Sequence, residues 1–535
     1  MTEVSEDLNR MEVRRLLTEN NPGYWKETFS HFLFGETERF EGKFLFGLFI
    51  FAILIRIPLL IYPEVIHNDG TAYIYHARQI LSGDWSAGRS HPLYPILIAL
   101  AHFISPSDEM AGILVSVIFG ALLVFPVFYI GRAIFDGRVG RLSALFATVH
   151  PFLYTPSGSV LTESLFHFLI AASVLFGWNA FDKGRVRDII LFGFFTSLSY
   201  LTRPEGIGFL LIFGIWVLLI HPPRERRPLK KKLALILLAI FSFLVFSFPY
   251  LLQLRKETGR WQISKKVSVS MGSFSEEEAG LPVEMIRVKK EITFSSLMKS
   301  PLTVAKKIGV GLLQSLYKFQ QVYTPLLSLL LILGLLLNKG RPLSLKGNLY
   351  LVSYFIYFFG FIHPFFWVTR RYTSHVVSIA LPWAAYGFIR ISDWVTQRFE
   401  KKKFQKKIPA VLLIAVLIVL FVQGRVIHSR EHRFIQREVG LWMRDHLPKG
   451  ARLMSPLPQE AFYAERPWVK MPRGSYEEIL KEARSKNVRY LAIDEEIEED
   501  SPGFLEKSKQ GDLVSVFDLK RKDRRIVVFE IVYPK

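Results

Sequence analysis

The sequence predicts a polytopic α-helical membrane protein of about 11 transmembrane helices, followed by a small C-terminal α/β domain. Three observations carry this. Half of the 535 residues are hydrophobic, 46 of them Phe, and mean hydropathy is positive at +0.25, a combination that soluble domains with so basic a pI rarely show. Apolar runs of roughly 18 or more residues recur, the length that crosses ~30 Å of hydrocarbon. Lys and Arg, which give a formal net charge of +21, gather in short loops between those runs, as the positive-inside bias predicts. The same distribution argues against nucleic acid as a partner. The chain has no cysteine, which excludes disulfides and thiolate metal sites but identifies no compartment.

Residues 1–42 are polar and charged, which reads as a cytoplasmic leader without a cleaved signal peptide. Span 1 covers about 43–62 and contains Arg56. Residues 66–95 follow, too polar for lipid: I-H-N-D-G-T-A-Y-I-Y-H-A-R-Q-I-L-S-G-D-W-S-A-G-R-S-H-P-L-Y-P. They hold Asp69, His76, His91, Arg78, Arg89 and three tyrosines. Residues 92–104 are apolar but only ~13 long, too short to cross, and are expected at the interface or against the bundle. Further spans are expected at 110–130, 142–154, 160–181, 189–201, 206–220, 233–254, 323–337 (with an amphipathic helix before it), 349–367, 373–391 and 408–423. Together 43–424 form one transmembrane domain with outer loops 63–109 and 255–307.

Parity tests this list. With a cytoplasmic N-terminus, loops after even-numbered spans are cytoplasmic. Those are the five basic loops 132–141, 182–188, 221–232, 338–346 and 390–407, so the positive charge does not scatter over both faces. The outer face then receives 63–109, T-P-S-G-S, T-R-P-E-G, 255–307, R-R-Y and the tail. That tail, 425–535, is polar. It carries helix patterns at 429–447 and 476–487, a strand at 488–494, and two more strands at 513–519 and 525–532 around a K-R-K-D-R-R turn. About 110 residues suffice for an extracytoplasmic domain with its own core. No solenoid repeat is present.

Several groups at the outer face have the right chemistry for a site. Asp69 is a candidate general base; alternatively N-D-G is a turn in which Asp69 caps a helix over 71–81. Glu163 and His167 share one face of span 4, where ionisable groups are costly; alternatively they satisfy each other together with Arg56. In T-R-P-E-G, Pro204 suits a helix start and Glu205 its N-terminus, while Arg203 is either an anion contact or the partner of Glu205. Arg370, Arg371 and Tyr372 place positive charge on the disfavoured side, and guanidinium groups bind phosphate oxygens. Arg260, Lys265 and Lys266 add a second basic cluster, so an anionic lipid headgroup is one reading and plain attraction to membrane lipids the other. His91 and His363 precede prolines and read as helix-end residues. The histidines show no metal-ligand spacing. P-loop, dinucleotide, H-E-x-x-H and G-x-S-x-G motifs are absent from the sequence.

Taken in order, D-G-T-A-Y-I-Y-H-A-R-Q-I-L-S-G, H-P-L-Y-P-I-L-I-A-L, L-T-E-S-L-F, Y-L-T-R-P-E-G and R-R-Y resemble the polyprenyl-phosphate-sugar-dependent glycosyltransferases of the GT-C fold. The likeness is to relatives of the family 39 protein O-mannosyltransferases and the lipid A aminoarabinose transferase, over roughly residues 43–400. The resemblance implies a lipid-phosphate sugar donor, transfer at the outer face of the cytoplasmic membrane with inversion, and no nucleotide. It assigns the base to Asp69 and the donor phosphate to Arg371 and Tyr372, with Arg203 or Lys265 helping; Arg56, His91, Glu205 and His167 are supporting candidates. The family often has a second acid after the first. Gly70 stands there, which leaves Glu163 as the candidate second acid. No cofactor or metal is indicated, and the acceptor is a protein, a lipid or a glycan. A transporter or flippase would show related halves with broken helices at mid-membrane, which this sequence lacks. A polysaccharide polymerase or ligase using a diphosphate-linked donor is the other rival.

Overall fold

The computed structural model describes residues 41–88, 90–222, 226–265, 301–337, 342–365, 368–398, 407–427, 434–495, 497–521 and 524–533. Residues 1–40 of the leader, Arg89, and 266–300 of the outer loop, Lys266 among them, lie outside the described residues. The chain is mostly helical and forms two compact units. One comprises residues 1–55, 119–154 and 165–423; the other comprises 56–118, 155–164 and 424–535. The segment that carries Asp69 therefore packs with the tail as one unit, whereas the sequence grouped it with the spans.

Each apolar run is occupied by helix, and the protein is a multi-pass membrane protein. Among the described residues, five helical stretches are long and apolar enough to cross: Glu41–Ile61, Asp108–Ile134, Glu163–Lys183, Leu229–Thr258 and Leu345–Phe365. A sixth counts if the bent pair Val304–Tyr323 and Pro325–Leu337 is one span. The count of about 11 is not reached by this measure, for a physical reason. Several runs are short helices, such as Gly137–Val149 with 13 residues, roughly 20 Å at 1.5 Å per residue. In the bent pair, Thr324 adopts φ 70° and the two helices meet at 110°, since the left-handed residue ends one helix and Pro325 opens the next. The interface helix expected at 92–104 is Leu93–His102.

In the first unit, basic residues hold helix ends. Arg227 donates to the carbonyls of Phe181 (2.7 Å) and Asp182 (3.2 Å) in the last turn of Glu163–Lys183, and Lys232 donates to Leu218 (2.7 Å) near the end of Gly208–Leu219. Cations there complete carbonyls that the helix leaves unpaired and complement its dipole. Glu41 pairs with Arg132 (2.5 Å) and Arg141 (3.7 Å).

In the second unit the tail is a five-stranded sheet: β1 (Arg452–Ser455), β2 (Trp468–Lys470), β3 (Val488–Asp494), β4 (Leu513–Arg521) and β5 (Arg524–Ile531), in the order β2-β1-β3-β5-β4. β1 runs parallel to β2 and β3, while β5 pairs antiparallel with β3 and β4. Side chains alternate across the pleat. Leu491, Ile493, Val527 and Phe529 face one core with Ile479 and Leu480 of helix Tyr476–Ser485; Tyr490, Ala492, Ile526 and Val528 face another with Ile435, Val439 and Met443 of helix Phe434–His446. Helix Tyr476–Ser485 is opened by a capping box between Ser475 and Glu478 and left through Asn487 at φ 51°, which aims the chain into β3.

Candidate functional site

Within the second unit, Asp69 is exposed on the first turn of helix Asn68–Leu81. The N-cap is His67, whose carbonyl accepts from the Thr71 amide at 3.1 Å. Asp69 is thus not the cap that the N-D-G turn suggested. It lies where the helix dipole favours negative charge. A Cβ on Gly70 would stand 2.8 Å from Ile66 Cγ1 and 2.8 Å from the Val160 carbonyl oxygen. No side chain fits there, so the missing second acid has a steric cause.

Val160 belongs to the segment 155–164, which leads into helix Glu163–Lys183 and carries the buried Glu163 (1% exposed). This segment is well anchored. Ser116 Oγ lies 2.9 Å from the Ser159 carbonyl and 2.9 Å from the fully buried Tyr94 hydroxyl, itself 3.0 Å from the Gly112 carbonyl. Arg56, wholly buried at the break between helices Glu41–Leu54 and Ile57–Ile61, donates from Nε to Ser157 Oγ at 3.0 Å. Glu163 is therefore presented by a fixed turn. His91 is buried just before helix Leu93–His102, a helix-end position. His76 lies 3.4 Å from Ser90 Oγ, and the Tyr73 ring meets Tyr94 edge-on at 5.3 Å, so these aromatic groups pack.

The tail reaches the same segment. Tyr463 Oη accepts from the Ile66 amide at 2.9 Å and donates to Glu109 Oε1 at 2.8 Å; Gln459 donates to the Asn68 side chain. Burial and the neighbouring Glu109 carboxylate hold the Tyr463 phenol above its ordinary range, so it remains a hydroxyl.

Within the first unit, the T-R-P-E-G and R-R-Y turns meet. The Arg203 guanidinium lies 5.0 Å from the Tyr372 ring centroid and 5.6 Å from that of Phe166, and its Nη2 is 3.4 Å from Glu205 Oε1. The Arg–Glu reading thus describes part of the geometry, and the Tyr372 and Phe166 rings complete the surroundings of the guanidinium. Thr369 caps the short helix Arg370–Thr373 by accepting from the Tyr372 amide at 3.3 Å, and Ser374 Oγ donates to the Arg371 carbonyl at 2.6 Å. His167 Nε2 is 3.1 Å from Ser374 Oγ. Lys265 pairs with Glu257 at 2.5 Å, and Tyr200, one turn before Arg203, donates to the Ile263 carbonyl at 2.7 Å.

Sequence reasoning missed His375. Its buried ring lies 4.9 Å from Phe166 and 6.0 Å from both His167 and Tyr372. Histidines scattered along the chain are gathered here by the fold. The only sequence signal was its place three residues after Tyr372. Among the described residues, no three His, Asp or Glu side chains come together as metal ligands.

This architecture defines a class: the fold is that of the GT-C membrane glycosyltransferases. The structure matches ArnT from Cupriavidus metallidurans bound to undecaprenyl phosphate at a TM-score of 0.57 and 12% identity, covering 91% of this chain and 97% of that one. The apo ArnT matches at 0.54 and 11%, covering 91% and 98%. The apo Archaeoglobus fulgidus oligosaccharyltransferase matches at 0.53 and 14%, covering 86% and 71%. Within the chain, residues 89–251 match the family model described as Dolichyl-phosphate-mannose-protein mannosyltransferase, which agrees with the resemblance carried by H-P-L-Y-P through T-R-P-E-G. No curated protein matches the chain.

Proposed function

We propose that the protein is a glycosyltransferase that moves a sugar, with inversion, from a polyprenyl-phosphate donor to an acceptor at the outer face of the cytoplasmic membrane. One observation carries the donor assignment: Arg203 stacks on Tyr372, next to Arg371, so two guanidinium groups and a phenol come from turns far apart in sequence. Planar guanidinium groups suit a phosphate monoanion or dianion. The undecaprenyl phosphate held by the ArnT structure supports a ligand of that chemistry. Lys265 would serve only by exchanging Glu257 for phosphate.

In the reaction, the acceptor's lone pair forms a bond to the sugar's C1 while the bond from C1 to the phosphate oxygen breaks. Its electron pair leaves with polyprenyl phosphate, and the acceptor's proton passes to Asp69. Arg371, with Arg203, offsets the charge that grows on the leaving phosphate, so no general acid is needed. Asp69 is exposed on a helix N-terminus and favoured as a carboxylate, which suits a base. Membranes carrying wild type or Asp69→Asn, incubated with a panel of labelled polyprenyl-phosphate sugars, provide the test. Transfer lost in the folded variant is the expected result; near-normal transfer removes Asp69 from the mechanism.

A further inference from the structure

Helix Gln459–Tyr463 in the tail holds the strand of chain that leads into Asp69. Tyr463 occupies a relay: it accepts from the Ile66 amide and donates to Glu109, at 2.9 and 2.8 Å. Gln459 donates to Asn68, the residue before Asp69. The Phe462 ring meets the Tyr75 ring edge-on at 6.5 Å, further along the helix that carries Asp69. Thus three residues of one short helix hold the Asp69 segment on both sides of the acid, at Ile66 and Asn68 before it and at Tyr75 after it. Ile66 and Tyr463 are buried and Glu109 is half-buried, so water is a poor substitute for the two Tyr463 hydrogen bonds; Asn68 is exposed, and Gln459 reaches it from a buried position.

We infer that Tyr463 and Gln459 are positioning residues that set the pose of Asp69, and that the tail is an integral part of the transfer site rather than an appended module. The inference rests on Asp69 being the base. A carboxylate must meet the acceptor proton within hydrogen-bond reach, and a misplacement of ~1 Å can cost on the order of 100-fold in rate. Tyr463→Phe keeps the ring and removes both hydrogen bonds. Gln459→Leu keeps the bulk and removes the donation to Asn68.

The test uses the full chain in membranes, a labelled polyprenyl-phosphate sugar that wild type turns over, and two small acceptors, methanol and trifluoroethanol. Trifluoroethanol is the stronger acid and needs less help from a base. Tyr463→Phe should slow methanolysis on the order of 10-fold to 100-fold and slow trifluoroethanolysis much less. Hydrogen exchange should quicken around Ile66 while β3 stays protected. Gln459→Leu should act in the same direction. Equal slowing of both alcohols means a smaller folded fraction and overturns the positioning role, as does unchanged methanolysis alongside quickened exchange at Ile66. The underlying base assignment fails separately, through an Asp69→Asn enzyme that turns over normally or a wild type that accepts no donor in the panel. Either result overturns the inference with it.

Discussion

The carbonyl oxygen of Val160 stands 2.8 Å from the point where a side chain on Gly70 would begin. The residue after the candidate base is therefore fixed by its neighbour across the 155–164 turn. Gly70→Ala should lower thermal stability by about 1–3 kcal/mol through overpacking, and Gly70→Asp should be worse without adding activity. Thermal unfolding in detergent measures the first and transfer assays the second. A fully stable Gly70→Asp enzyme would show that the turn yields.

Arg203 contributes a plane as well as a charge. Arg203→Lys keeps the charge but gives up stacking on Tyr372 and Phe166, an interaction of ~1 kcal/mol. Undecaprenyl phosphate should bind about fivefold more weakly. Arg371→Ala should weaken donor binding more than acceptor binding. Titration with the lipid, followed by intrinsic fluorescence, decides both; unchanged affinity in both variants would remove the phosphate role.

Tyr94→Phe tests the anchoring of the Glu163 turn. The change takes a fully buried hydroxyl from between Gly112 and Ser116 and should cost about 1–2 kcal/mol. The 155–164 peptides should exchange hydrogen faster. Unaltered exchange there would mean that Ser116 alone holds the turn.

Stability should also depend on pH through Glu460. Burial, aided by the charge of Asp494, raises its carboxyl to about 8, against about 4.3 when unfolded. The folded state binds this proton more tightly. Its contribution is complete below about pH 4 and is lost as pH rises to about 8. Melting temperature should therefore fall between pH 5 and 8, and Glu460→Gln should flatten that fall. An identical pH dependence in the variant would assign the effect to other groups.

The sequence made some of this legible and hid the rest for identifiable reasons. Strand β3 is read correctly to the residue, because V-R-Y-L-A-I-D is rich in apolar and β-branched residues and follows directly on a helix pattern. Helix Leu93–His102 is found because its run is too short for a span. Strands β1 and β2 are missed: with four and three residues they have no period to detect. Hydropathy marks eleven apolar runs but reports composition alone, whereas the bend at Thr324 and the lengths of the helices are decided by backbone geometry. Asp69, Arg203 and Tyr372 stand out as charged or aromatic groups beside apolar runs. His375 does not, since its neighbour His167 belongs to a different helix far back in the chain. Nor does Tyr463, which resembles any other aromatic residue of a polar tail until Ile66 is placed beside it.

The hydrogen bond between Ile66 and Tyr463 joins residues 397 apart, which has a consequence for biosynthesis. At about 5–20 residues per second, translation separates the two by roughly 20–80 s. During that time the Asp69 segment has emerged and its clasp has not. A nascent chain halted before Gln459 would carry the whole apolar bundle but an unheld acid. Transfer competence would then arrive late and abruptly, with the closing residues of the tail, so that incomplete chains stay silent in the membrane.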